Sequence, residues 1–134
     1  MNLTVKADVS ELSRVTDFVD EALTDCAYKV RYRIELAVEE VFVNIASYAY
    51  PSGDGEVRIG IGVDGDPSTV TMVFSDDGIP FDPLAKPDAD TSPDTLTSRV
   101  GGLGILMVKK LMDDVTYARV NGQNVLTLKK KVSS

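Results

Sequence analysis

Three features of this sequence predict an α+β fold, a two-layer α/β sandwich with a mixed, mainly antiparallel sheet and helices on one face. Three stretches carry apolar residues at helical spacing, several short runs alternate apolar and polar residues, and glycine- or proline-bearing turns separate them. At 134 residues the chain fits one domain, 1–134, able to bury its own core.

The elements follow in order. Leu3, Val5 and Ala7 alternate with polar residues as a short strand. Asp8 then stands three residues before Glu11, the spacing of a capping box. Leu12, Val15, Phe18, Val19, Ala22 and Leu23 repeat at helical spacing toward Cys26. A second helix is expected from about Lys29 to Tyr48. Its apolar face is Ile34, Val38, Val41, Ile45 and Tyr48, and a stripe of Arg33, Ala37, Glu40, Asn44 and Ser47 runs beside it. Pro51-Ser52-Gly53-Asp54-Gly55 stops that helix. Val57–Val63 and Val70–Phe74 alternate as two strands of a hairpin around Asp64-Gly65-Asp66-Pro67-Ser68. From Pro83 to Val100 the chain is polar, proline-interrupted and without a period, which reads as a lid-like loop. Leu103 to Met112 is the third helix. A strand through Val115, Tyr117 and Arg119, the Asn121-Gly122 turn and a strand from Val125 to Val132 close the fold.

Composition excludes several function classes. The net charge of −7 argues against a nucleic-acid surface, which would be basic. Lys129-Lys130-Lys131 reads as a solvated strand end. No stretch approaches the roughly 20 apolar residues of a membrane span, and Met1–Lys6 lacks the order of a signal peptide. Cys26 is the only cysteine, expected in the core, and suits a reducing cytoplasm. The absence of histidine removes His-based triads, His-ligated metals and phosphohistidine chemistry within this chain.

Three motifs remain that can carry chemistry. Glu40 and Asn44 lie one helical turn apart. An amide oxygen there suits Mg²⁺, a hard ion, and a carboxylate beside it can take a proton from a nucleophile; a plain polar helix edge is the alternative. Asp76-Asp77-Gly78 closes an apolar strand. It reads either as a turn or as a carboxylate accepting from an exocyclic amine, with a glycine allowing close approach of the base. Gly101-Gly102-Leu103-Gly104 enters a helix, where free N–H groups and the helix dipole favour phosphate; it matches neither a Walker loop nor a dinucleotide fingerprint.

Taken in series, these motifs resemble the Bergerat-fold ATPases, the GHKL superfamily, and within it the bacterial anti-sigma-factor serine/threonine kinases. The likeness covers nearly the whole chain. Glu39-Glu40-Val41-Phe42-Val43-Asn44 resembles the family's N box. Asp76-Asp77-Gly78-Ile79-Pro80 resembles its first glycine box, and Gly101-Gly102-Leu103-Gly104-Ile105 its second. The resemblance implies ATP and Mg²⁺ as cofactors. It makes Glu40 the general base, Asn44 the metal ligand and Asp76 the reader of the adenine amine with Gly78 beside the base. Gly102 and Gly104 then contact phosphates, and Thr127 supports Asp76 from beneath. Arg99 lies near a lid arginine that meets the γ-phosphate, one residue off in spacing. Pro80 replaces a glycine common outside this branch, Tyr48 stands where some relatives have histidine, and Arg14 resembles a residue that grips a sigma factor.

The implied function is an ATP-dependent protein serine/threonine kinase that phosphorylates a small anti-sigma antagonist protein. A sigma factor is a second partner, and the expected assembly is a homodimer in the cytoplasm. A non-catalytic ATP-binding switch is the alternative. A histidine-kinase catalytic domain acting on a separate chain is a third reading.

Overall fold

The computed structural model describes residues 1–65, 68–85 and 100–132. Five strands form one sheet in the order β1-β2-β3-β5-β4, with β1 Asn2–Lys6, β2 Glu56–Asp64, β3 Thr69–Asp76, β4 Asp114–Val120 and β5 Gln123–Lys131. Each pairing among them is antiparallel, so the expected mixed sheet is purely antiparallel over the described residues. The helices are α1 Leu12–Ala22, α2 Tyr28–Tyr48 and α3 Val100–Leu111.

Register explains how one face becomes the core. Along β3 buried and part-exposed residues alternate, and Val70, Met72, Phe74 and Asp76 point inward. They pair across β5 with Lys130, Leu128, Leu126 and Asn124, so each inward set meets an inward set. Ile34, Val38, Val41 and Phe42 of α2 are buried, as are Val15 and Val19 of α1 and Val108 of α3. Their packing against the inward strand residues makes a single core under one layer of helices, with α2 touching both α1 and α3. The hairpin between β4 and β5 turns at Asn121 (φ 51°) and Gly122 (φ 79°), the two left-handed residues that a tight Asn-Gly turn requires.

Some boundaries differ from expectation. Asp8 caps a short 3₁₀ turn, Val9–Glu11, by accepting from the Ser10 N–H at 2.9 Å. Glu11 does not complete a capping box; its carboxylate instead meets Arg14 at 3.0 Å. Tyr48, expected on the apolar face, is 42% exposed and lies against Phe81 with ring centroids 5.6 Å apart. Cys26 is half-buried at the α1–α2 connection rather than deep in the core, and burial still pushes its thiol pKa up. Residues 101–104 form the first turn of α3, not a loop ahead of it, so the helix starts before the apolar positions Ile105, Val108 and Met112 that anchor it.

Candidate functional site

At one end of the sandwich β3 finishes beside the start of β5, and Asp76 pairs directly with Asn124. Both are buried, Asp76 at 2% and Asn124 at 4% exposure. A buried carboxylate needs donors. Asp76 Oδ1 accepts from the Gly78 N–H and from Asn124 Nδ2, each at 2.9 Å. Those two bonds fix the carboxylate through Oδ1.

Asn124 holds more than the aspartate. Its Nδ2 also donates to the Ile79 carbonyl at 2.8 Å. Its Oδ1 accepts from the Phe81 N–H at 3.1 Å and from the Tyr117 hydroxyl at 2.5 Å. Two donors and two lone pairs are therefore all used. The segment after Asp76 is pinned from its other side as well. Ile79 N–H donates to the Ala49 carbonyl at 2.8 Å, Asp77 N–H to the Tyr50 hydroxyl at 2.8 Å, and Arg119 to the Gly78 carbonyl at 2.9 Å. The Arg58 guanidinium, hydrogen-bonded to Asp77, holds that carboxyl below the usual carboxylate range. Gly78 packs on the end of α2 so closely that a Cβ would stand 2.3 Å from the Ala49 carbonyl oxygen. Its small size is thus demanded by the backbone of α2.

Behind Asp76 lies a cavity walled by Asn44 and Val41 of α2, Phe74, Phe81, Ile105 and Tyr117. The void is about 20 Å³, room for roughly one water. Phe81 and Pro83 narrow it, and both belong to the segment leading toward residue 86. Asn44 is 5% exposed, and its Nδ2 has no hydrogen-bond partner among the described residues. Such an orphan costs about 1–3 kcal/mol. Half a turn about χ2 puts Oδ1 in the same place, where a cation would satisfy it. The donor set fits a hard metal ion and an adenine amine.

The structure brings some expected residues together and separates others. Asp76, Asn44 and Gly78 converge, and Ile105 brings the end of the Gly102–Gly104 turn to the same cavity. Glu40 is half-buried one turn from Asn44 and does not line the cavity. Arg99 lies outside the described residues. Thr127 is corrected. It pairs with Val73 and Thr116 on the opposite face of the sheet from Asp76, and Asn124 supports the carboxylate instead.

A buried, braced carboxylate at a strand end, an amide on the adjoining helix and a glycine-rich helix start lie in the order and place that the resemblance to the Bergerat-fold ATPases implies. Comparison with known proteins agrees. The histidine kinase-like ATPase domain family matches residues 5–130, and the chain belongs to that family. A serine-protein kinase RsbW from Oceanobacillus iheyensis is 32% identical over 96 residues, spanning 67% of this chain and 57% of that protein. An RsbW from Listeria monocytogenes is 26% identical over 134 residues, spanning 96% of this chain and 84% of the relative. Among solved structures, the histidine kinase domain of the blue-light activated histidine kinase from Erythrobacter litoralis shares the fold. Its TM-score is 0.58 at 16% identity, with 96% of this chain and 62% of that chain covered. Among the described residues no helix is long and apolar enough to cross a membrane.

Proposed function

We propose that this chain is an ATP-dependent protein serine/threonine kinase of the anti-sigma-factor type. It phosphorylates a small antagonist protein and regulates transcription by partner switching in the cytoplasm. A sigma factor is its second partner, and the working form is a homodimer. The observation that carries the reading is the braced Asp76 carboxylate facing a cavity whose other wall holds the orphaned Asn44 amide. Similarity to two RsbW serine-protein kinases supports it.

In this reading Asp76 Oδ2 accepts the adenine amine, and Asn44 holds Mg²⁺ through its amide oxygen. Mg²⁺ would neutralise charge on the phosphates. The N–H groups of the first turn of α3, which includes Gly102 and Gly104, face the phosphates. Glu40 takes the proton from the acceptor serine or threonine hydroxyl as its oxygen bonds the γ-phosphorus, and ADP leaves with the bridging oxygen and its electron pair. Arg99 is a candidate contact to the γ-phosphate.

The place of Glu40 outside the cavity wall favours the second reading, an ATP-binding switch without transfer. One experiment separates the two. Glu40→Gln keeps size and removes the base. It should leave Mg–ATP affinity intact and cut transfer to a co-encoded antagonist by about 10²–10⁴-fold. Asn44→Ala should weaken both together. Wild-type binding without any transfer would establish the switch.

A further inference from the structure

The first two turns of α2 contradict the rules that make a helix stable. Lys29, Arg31 and Arg33 crowd its first six residues in a chain of net charge −7. That turn contains no acidic residue, and the N-cap residue Ala27 makes no side-chain cap. Positive charge here opposes the helix dipole, and Lys29 and Arg33 are like charges four residues apart. Arg31 is accounted for. It pairs with Asp20 at 3.4 Å and covers the Tyr28 ring at 5.9 Å. Lys29 and Arg33 are exposed and have no ion pair among the described residues. Beside them Tyr28 and Tyr32, 69% and 49% exposed, stack at 6.0 Å. Local cost without a local partner is the signature of a functional surface.

Position says what the surface serves. At 3.6 residues per turn, Lys29, Arg33, Leu36 and Glu40 fall in one band about 60° wide. Arg33 and Lys29 stand about 10 and 16 Å up the helix from Glu40. The last turn of α3 carries exposed Lys110 to the same end of the sheet. Asp113 bonds the backbone of Lys129 and Lys131 there, and Ala27 shares a cavity with Ile61 and Val132.

We propose that this basic, aromatic face of α2 docks an acidic segment of the protein whose hydroxyl Glu40 deprotonates, an inference that rests on the kinase reading. Tyrosine and arginine are the residues that most often anchor protein interfaces, and opposite charge sets register. An extended segment advances about 3.3 Å per residue, so the acidic side chains fall about three and five residues from the acceptor.

The test uses a fluorescent peptide centred on one serine, with glutamates at those spacings on both sides, and a control with lysines there. Anisotropy with Mg–ATP analogue present should show binding of the acidic peptide that weakens with salt. Lys29→Glu/Arg33→Glu should weaken it about tenfold, with Mg–ATP affinity unchanged. Asp17→Lys/Glu21→Lys, on exposed positions of α1, should leave it as in wild type. Equal binding by wild type and the α2 variant, absence of binding, or indifference to peptide charge would overturn the docking face. Loss of a homodimer in the α2 variant, seen by sedimentation, would reassign the face to self-association. Binding that holds while no phosphate is transferred would sink the kinase reading and leave the docking face standing.

Discussion

Asn124 uses every hydrogen-bonding atom of its side chain, and that sets what its loss should do. It braces Asp76 Oδ1, the Ile79 carbonyl and the Phe81 N–H at once. Asn124→Ala leaves a buried carboxylate short of a donor and frees the segment beyond it. Nucleotide affinity should fall by on the order of 10- to 150-fold, the value of a lost charge-assisted bond in a buried site. Thr127→Ala, on the other face, should change it less than about twofold, within the ordinary range of surface substitutions. Calorimetric titration of both variants with Mg–ATP checks this, and a larger loss at Thr127 would reverse the assignment. The error over Thr127 has a simple physical source, and the signal that corrects it lies in the sequence. Leu126 and Leu128 are buried, and strand side chains alternate, so Thr127 faces away while Asn124 shares their side. A motif aligned by residue type alone ignores that parity.

Between elements, the α1–α2 contact carries a titrating carboxyl. Burial, then Asp20 across the interface, pushes the Glu35 pKa up to about 7, while Arg31 opposes the rise and Glu39 adds to it. Glu35 Oε1 is buried without a hydrogen-bond partner among the described residues. The folded value lies above the unfolded one, so the protonated form favours the fold. That contribution is complete below the ordinary value of 4.5 and is lost as pH rises through about 7. Thermal stability should therefore fall from pH 5 to pH 8. Glu35→Gln, neutral throughout, should flatten this part of the profile and melt a few degrees higher than wild type at pH 8. A Glu35→Gln profile parallel to wild type would show that the group titrates normally. The helices and strands were legible because each repeats its apolar residues over two or more turns or alternations. The charge state of Glu35 was not, because it depends on Asp20 in another helix. The start of α3 was misjudged for a related reason: glycine weakens the local helical signal, whereas downstream packing of Ile105 and Val108 sustains it.

For the whole molecule, the site sits where α2, the ends of β3 and β5, and α3 meet, so a ligand there bridges both layers of the sandwich. Phe81 lines the cavity beside Asp76; its N–H donates to Asn124 Oδ1 and its ring lies against Tyr48 at the end of α2. A nucleotide seated there would gain contacts from both layers of the sandwich. Binding to the folded state alone raises stability by about 2.7 kcal/mol when ligand is at a hundredfold its Kd, a shift of several degrees for a domain of this size. ATP with Mg²⁺ should therefore raise the melting temperature in proportion to the logarithm of its concentration. GTP should do so far less, because its carbonyl group offers no donor to Asp76 Oδ2. Removing the metal with EDTA should diminish the ATP shift, since Asn44 then has nothing to coordinate. The Tyr48–Phe81 contact supplies a second readout, a change in tyrosine fluorescence that follows the same ATP dependence. Equal shifts with ATP and GTP would remove Asp76 as the reader of the base. A full shift in EDTA would remove Asn44 as the metal ligand while leaving the fold assignment untouched.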